Sequence, residues 1–271
     1  MKPVLGRWFC LVGLVLLGAT LRAESNGLGC EHLVATGNPD YPPYLWRPEP
    51  NSPVLVGANQ LLLDEISRRL GIPIDVVYTG SWSRAQEEVR AGRVDLIAGA
   101  FLTRQRLEYM DYLYPAFFTT RSLVWTRQDQ PLAYQKWEDL ANWQGITLIN
   151  NSFGQEFDRY ANDHLTLDSV ASLDQAMRML AQGRVDYLLY EEFPAEAYAK
   201  RLGLGDQLRS LEPPISQELL YLTLSHRSPC NNGELRGRLS QILTDMLVDG
   251  SAQHALAQGL SDWQRSQSQA D

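Results

Sequence analysis

The chain alternates between two hydrophobic rhythms. Short apolar runs read as strands. The stretches that follow them place apolar residues every three to four positions and read as amphipathic helices. Leu33, Val34 and Ala35 predict a first strand. Residues 36–50, TGNPDYPPYLWRPEP, are a loop rich in proline and aromatic rings. Residues 59–70, NQLLLDEISRRL, predict a helix closed by Gly71, and residues 74–78 a second strand. Ser81 or Ser83 can cap the next helix, which Gly92 stops. Val94, Leu96 and Ile97 then predict a buried strand ending at Gly99.

The second half repeats the rhythm. Residues 123–125 read as a strand leaving the first unit, and 146–149 as a strand opening a second α/β unit. The turn at 150–155, NNSFGQ, leads into a helix near 156–160. Residues 173–180 predict a helix feeding a strand at 185–190, with Glu191 and Glu192 at its carboxyl end. A helix at 196–202 precedes Pro213 and Pro214, which break the chain. A strand at 219–224 and helices at 234–248 and 252–263 complete it, and residues 264–271 predict a flexible tail.

Residues 91–115, AGRVDLIAGAFLTRQRLEYMDYLYP, organise the rest. AGRVDL at 91–96 is echoed by QGRVDYL at 182–188, each between a helix and a strand. Two such units far apart suggest two similar lobes facing one another across a ligand cleft. In open α/β sheets ligands sit beyond the carboxyl ends of strands. Arg106, just past such an end, is well placed to grip a carboxylate with two parallel hydrogen bonds.

Composition is that of an ordinary globule, 271 residues with 44% hydrophobic and 21% charged, and adds compartment. Lys2 and Arg7 precede an apolar run at 9–19 and a tolerable cleavage site at Leu21-Arg22-Ala23, so residues 1–23 read as a secretory signal. The run is short for a membrane span, and no later stretch would span. Cleavage removes Lys2, Arg7 and Arg22. That leaves 21 of the 24 basic residues against 32 acidic ones, a net charge of about −11. This disfavours nucleic acid and anionic membranes as partners. Cleavage also removes Cys10 and leaves Cys30 and Cys230, in an exported protein most simply a disulfide; two separate buried thiols are the alternative.

Several features in order resemble the type II periplasmic solute-binding proteins, polar-amino-acid (family 3) branch. They are Tyr41-Pro42-Pro43-Tyr44, the helix ending at Gly71, GRVDLIAG, Thr103-x-x-Arg106, Tyr112 to Ala116 and Asp249-Gly250, together covering nearly all of the mature chain. The resemblance implies two Rossmann-like α/β lobes, 28–119 plus 219–268 and 120–218, joined by two hinge strands. Both Cys30 and Cys230 would fall in lobe one. It implies a periplasmic protein of a Gram-negative cell that closes on a small carboxylate-bearing ligand, an amino acid or a relative. It implies an ABC permease or a sensor as partner, and neither cofactor nor metal.

In that resemblance Arg106 matches the arginine that grips the ligand's carboxylate; a surface arginine pairing with Glu108 or Asp111 is the alternative. Thr103 matches the motif's threonine, with helix capping as its plain role. Glu191 matches the lobe-two acid that receives the ligand's amino group, against a solvated charge beside Glu192. Tyr41 matches an aromatic of the side-chain pocket, and Trp82 is cleft wall or core. Gly99 lies at the strand end, and Gly154 belongs to the lobe-two turn. Phe101 stands where a hydroxyl residue is usual, and Gly37 or Asn38 where an acid is usual. Phe101 and Phe153 are expected to wall a flat apolar slot.

His32, His164, His226 and His254 are scattered without metal spacing, and no nucleophile motif is present. The enzyme alternative is a cyclohexadienyl dehydratase on the same fold. There Glu191, its pKa raised by Glu192, would act as the general acid.

Overall fold

The structure, a computed structural model, describes residues 28–268. The expected signal, residues 1–23, lies outside the described residues, as do the last three residues of the expected tail.

The strands and helices of the first half are β1 (Leu33–Thr36), β2 (Asp40–Tyr41), β3 (Leu45–Trp46), α1 (Ala58–Leu70), β4 (Ile74–Val76), α2 (Trp82–Arg90), β5 (Leu96–Ala100) and β6 (Met110–Tyr112). Then come β7 (Phe118–Arg127), β8 (Gln144–Leu148), α3 (Gln155–His164), β9 (Thr166–Val170), α4 (Leu173–Ala181), β10 (Tyr187–Glu191) and α5 (Glu192–Arg201). β11 (Leu208–Ser225), α6 (Gly233–Val248) and α7 (Ser251–Ser268) finish the chain.

The strand order is β4-β1-β5-β11-β7-β10-β8-β9, with β6 beside β11. β4, β1 and β5 are parallel and make the sheet of one lobe; β10, β8 and β9 are parallel and make that of the other. β7 and β11 run antiparallel to each other through the middle. β11 pairs with β7 from Leu208 to Leu220 and then with β5 from Tyr221 to Leu224, so the lobes share two continuous strands. Parallel strands buried on both faces must read as apolar runs, which is why β5 and β10 were legible in the sequence.

The local signals mostly hold. α1 buries Leu62, Leu63, Ile66 and Leu70 on one face and stops where Gly71 turns left-handed, its N–H on the Ser67 carbonyl. Asn232 caps α6 by accepting from the Leu235 N–H at 2.9 Å. The expected disulfide is present: Cys30 and Cys230, 200 residues apart in sequence, are bonded with Cα atoms 5.1 Å apart. It ties the segment before β1 to the segment before α6, within one lobe.

Three differences have physical causes. Pro213 and Pro214 do not end a strand but sit inside β11, where the register against β7 slips between Leu211 and Ser216; a proline has no N–H for the ladder, so the slip accommodates it. β9, which the sequence does not announce, is an edge strand with no fully buried side chain and hence no alternating apolar signal. α7 runs on to Ser268, past Trp263, so residues 264–268 of the expected tail are helical.

Candidate functional site

The site is built from the end of β5. Gly99 takes φ 108°, open to glycine, and a Cβ there would lie 2.8 Å from Asn59 Nδ2 and 3.0 Å from Leu220 Cδ2. The strand continues one residue beyond it, to Ala100, and the chain then leaves the sheet. Thr103 Oγ1 accepts the Arg106 N–H at 3.2 Å and so starts the short 3₁₀ turn Arg106–Glu108. That turn carries the Arg106 side chain inward, where only 4% of the residue is exposed.

Arg106 is not a surface arginine and pairs with neither Glu108 nor Asp111. Its Nη1 donates to the Phe101 carbonyl at 3.0 Å and its Nε to Gln86 Oε1 at 3.3 Å. Its Nη2 donates to the Asn150 carbonyl in the opposite lobe at 3.2 Å. The guanidinium also sits 5.2 Å from the ring centre of Trp82, within cation–π range. A guanidinium has five N–H donors and these bonds occupy three; the Tyr112 hydroxyl also lies within hydrogen-bonding reach of the group.

Glu191 comes from the other lobe, at the carboxyl end of β10 and the start of α5, and is 3% exposed. Burial lifts its pKa from 4.5 to about 7, against the opposing pulls of its own backbone N–H and of Arg106. Glu192 has no part in that shift: it points away and pairs with Arg121 Nη1 at 3.1 Å.

Arg106 and Glu191 line one small interlobe cavity of about 20 Å³, roughly the room of one water. Tyr41, Gly99 and Phe101 line it too, so five of the expected site residues converge there. Buried polar atoms of the same wall have no hydrogen-bond partner: Trp82 Nε1, Asn151 Nδ2 and Glu191 Oε2. Orphaned buried donors and acceptors are costly and rare, and their convergence on one cavity marks it as a place for a polar guest.

The other expected residues lie elsewhere. Thr103 is not on the cavity wall; its hydroxyl holds the turn that precedes the 3₁₀ segment, whose N-cap is Gln105. Phe153 is not a wall of a slot with Phe101: it packs in the lobe-two core, edge-on to Phe157 at 5.7 Å. Gly154 caps α3 at φ 93°, beneath the Glu218 carboxylate, and does not reach the cavity. Asp158 holds that turn, bonding the Ser152 hydroxyl and accepting the Phe153 N–H at 2.8 Å, and so aims Phe153 inward.

Asn38, Asn151, Leu220 and Gln86 were not singled out as site residues. The first three line the cavity, and Gln86 braces Arg106. The sequence did mark Asn38 as a displaced acid position and Asn151 as part of a turn, but nothing local ties Leu220 or Gln86 to a site.

Two sets of ties hold the lobes together around the cavity. Near Arg106, Gln86 Nε2 donates to the Asn150 carbonyl at 3.2 Å and the Arg104 N–H to Gln155 Oε1 at 3.1 Å. Opposite, Asp40 Oδ1 accepts the Tyr198 hydroxyl at 2.5 Å and Oδ2 the Leu173 N–H at 3.4 Å. Asn38 Nδ2 donates to the Tyr190 hydroxyl at 2.9 Å. Among the described residues no group of three or more His, Cys, Asp or Glu could hold a metal ion, and no helix is long and apolar enough to cross a membrane.

Comparison with known proteins agrees with this geometry. The sequence profile of the bacterial extracellular solute-binding proteins, family 3, matches residues 33–258. The L-cystine-binding protein TcyA of Bacillus subtilis (strain 168) is 24% identical over 212 residues, which are 78% of this chain and 74% of that protein. Among solved structures, the amino-acid ABC transporter substrate-binding protein AbpA from Streptococcus pneumoniae, bound to L-arginine, superposes with TM-score 0.70 at 18% identity, over 86% of this chain and 96% of that one. A histidine kinase sensor domain with similarity to periplasmic binding proteins gives TM-score 0.72 at 22% identity, over 85% and 96%. At these identities the structural likenesses show the fold, a type II periplasmic binding protein. The family consists of binding proteins, not enzymes, and the dehydratase alternative is set aside. With two α/β lobes, a shared strand pair and a cavity between them, this chain belongs to family 3 of the bacterial extracellular solute-binding proteins.

Proposed function

We propose that the protein captures an amino acid or a closely related zwitterion between its lobes, 28–119 plus 219–268 and 120–218, and closes on it by bending β7 and β11. The capture takes place in the periplasm of a Gram-negative cell and delivers the ligand to an ABC permease. One observation carries the reading: a guanidinium from one lobe and a buried carboxyl from the other line the same small interlobe cavity, beside unpartnered polar atoms.

The roles follow from donor and acceptor chemistry. The Arg106 guanidinium, with Trp82 Nε1 and Asn151 Nδ2, suits a carboxylate. Glu191, ionised, suits an ammonium. Tyr41 and Phe101 offer apolar faces to what lies between. The cavity of about 20 Å³ is too small to admit an amino acid without opening, so entry requires the lobes to part and capture brings them together again around the guest.

The relatives support the ligand class: TcyA is a cystine-binding protein and AbpA was solved with L-arginine. A thermal-shift screen of the protein against the common amino acids and small carboxylates tests it. A ligand at about 100 times its Kd stabilises the bound form by about 2.7 kcal/mol and raises the melting temperature. A screen with no amino acid shifting the melt would overturn the reading. Co-purification with a permease supports delivery for import; ligand-dependent binding to a kinase ectodomain in its place would redirect it to sensing.

A further inference from the structure

The charge inventory of the cavity narrows its ligand, on the understanding that the cavity takes an amino acid at all. The charged groups on the wall are Arg106 and Glu191, while burial pushes the Tyr41 phenol up and keeps it neutral. The rest of that wall is alkyl, aromatic, backbone or neutral amide.

Of the other carboxylates near the seam, Glu218 lies over Gly154 and off the cavity wall, and three more are engaged. Asp40 holds Tyr198 and the Leu173 N–H, and Asp158 holds Ser152 and the Phe153 N–H. Glu192 is paired with Arg121. The other nearby guanidiniums, Arg90 and Arg104, line a polar groove of about 330 Å³ that meets the cavity at Arg106 and Asn151 but lies on the far side of them from Tyr41, Phe101 and Glu191, none of which it carries. A bound zwitterion therefore uses both charges of the cavity, its carboxylate on Arg106 and its ammonium on Glu191.

We propose that this site selects amino acids with uncharged side chains and rejects arginine, lysine, aspartate and glutamate, with the neutral Asn38 as a specificity-determining residue. A cationic or anionic side chain enclosed here meets no counter-charge, and an unpaired buried charge costs far more than an unpaired polar group. Asn38 is the wall position where a charge could most simply be added. Its Oδ1 accepts the Asp40 N–H at 3.0 Å, which an aspartate would also do. Its Nδ2 donates to the Tyr190 hydroxyl, which itself donates to the Asp40 carbonyl at 3.3 Å and would turn that proton to an aspartate at position 38.

The experiment is titration calorimetry of the wild-type protein and of Asn38→Asp with alanine, serine, leucine, phenylalanine, arginine, lysine and glutamate. For the wild type at least one neutral amino acid should bind, with the charged ones at least about 100-fold weaker, the size of an uncompensated buried group or more. In Asn38→Asp the ratio of arginine or lysine affinity to neutral affinity should rise at least about tenfold. Wild-type binding of arginine, lysine or glutamate within tenfold of the best neutral ligand overturns the selectivity. An unchanged ratio in a folded Asn38→Asp overturns the role of Asn38. Should that variant not fold, the wild-type series still decides the selectivity, and titration of Asn38→Ser, expected to keep the wild-type ratio, decides Asn38: arginine gaining tenfold there would overturn a role for its charge. Failure of every amino acid to bind points instead to failure of the functional reading itself.

Discussion

Arg106 Nη2 and the backbone oxygen of Asn150 lie 3.2 Å apart across the seam between the lobes. The group best suited to a ligand carboxylate is thus also a tie that holds the cleft shut. On the proposed function, capture and closure act through one side chain.

Arg106→Ala should therefore abolish ligand-dependent stabilisation while lowering intrinsic stability only modestly. Each acceptor that loses Arg106 keeps another donor. The Phe101 carbonyl retains the Tyr112 hydroxyl at 2.6 Å, the Asn150 carbonyl retains Gln86 Nε2, and Gln86 Oε1 retains the Tyr109 hydroxyl at 3.3 Å. With no acceptor orphaned, the loss should be about 1–2 kcal/mol. Urea unfolding with and without ligand measures both quantities. A loss of more than about 4 kcal/mol would make Arg106 chiefly structural.

Glu191 should give the protein a pH-dependent stability. Its native pKa, about 7, lies above the 4.5 of the unfolded chain, so the native state binds the proton more tightly between those values. Stability then falls as pH rises from 4.5 to 7, by up to about 3 kcal/mol, and is level outside that window. Glu191→Gln should remove this part of the slope. An ammonium docking on the carboxylate favours its ionised form, so ligand uptake near pH 6–7 should release a proton. Calorimetry in two buffers of different ionisation enthalpy reads that release directly, and identical enthalpies in both would contradict it.

Asp40 should control how long the cleft stays closed. It lies off the cavity wall but accepts from Tyr198 and Leu173 of the other lobe. Asp40→Ala removes two interlobe hydrogen bonds, and the closed state should lose about 1–2 kcal/mol. Ligand affinity should drop roughly five- to thirtyfold, mostly through faster release. Stopped-flow dissociation measures the rate, and small-angle scattering should show a larger unliganded radius. An unchanged release rate would mean these bonds do not hold the lobes.

The disulfide closes a loop of 200 residues. On loop entropy alone it stabilises the chain by about 5 kcal/mol, an upper figure because denatured chains keep residual structure. Cys30→Ser with Cys230→Ser should lower the melting temperature by several degrees yet leave ligand affinity within about twofold, since neither cysteine touches the cavity. Thermal melts and ligand titration of the double variant test both halves of that statement.

What is local could be read from the residues alone. β5 and β10 are apolar runs buried on both faces, so they could be read, and so could Arg106 and Glu191 beyond their carboxyl ends. The expectation of export came from the N-terminal residues, and the Cys30–Cys230 pairing, which the structure contains, from the two cysteines beyond the expected cleavage site. Which side chains meet is a property of the folded chain. Trp82, Asn38, Asn151 and Leu220 come from four separate segments, and no periodicity within a segment reports the distance between segments. Phe153 shows the same limit from the other side. Its place in the turn is legible, but the Asp158 carboxylate that receives its N–H, and the Phe157 ring beside it, turn it into the core of its own lobe instead of the cleft. Hydrophobic burial sets where each strand and helix runs; the shape of the space left between two lobes depends on all of them at once.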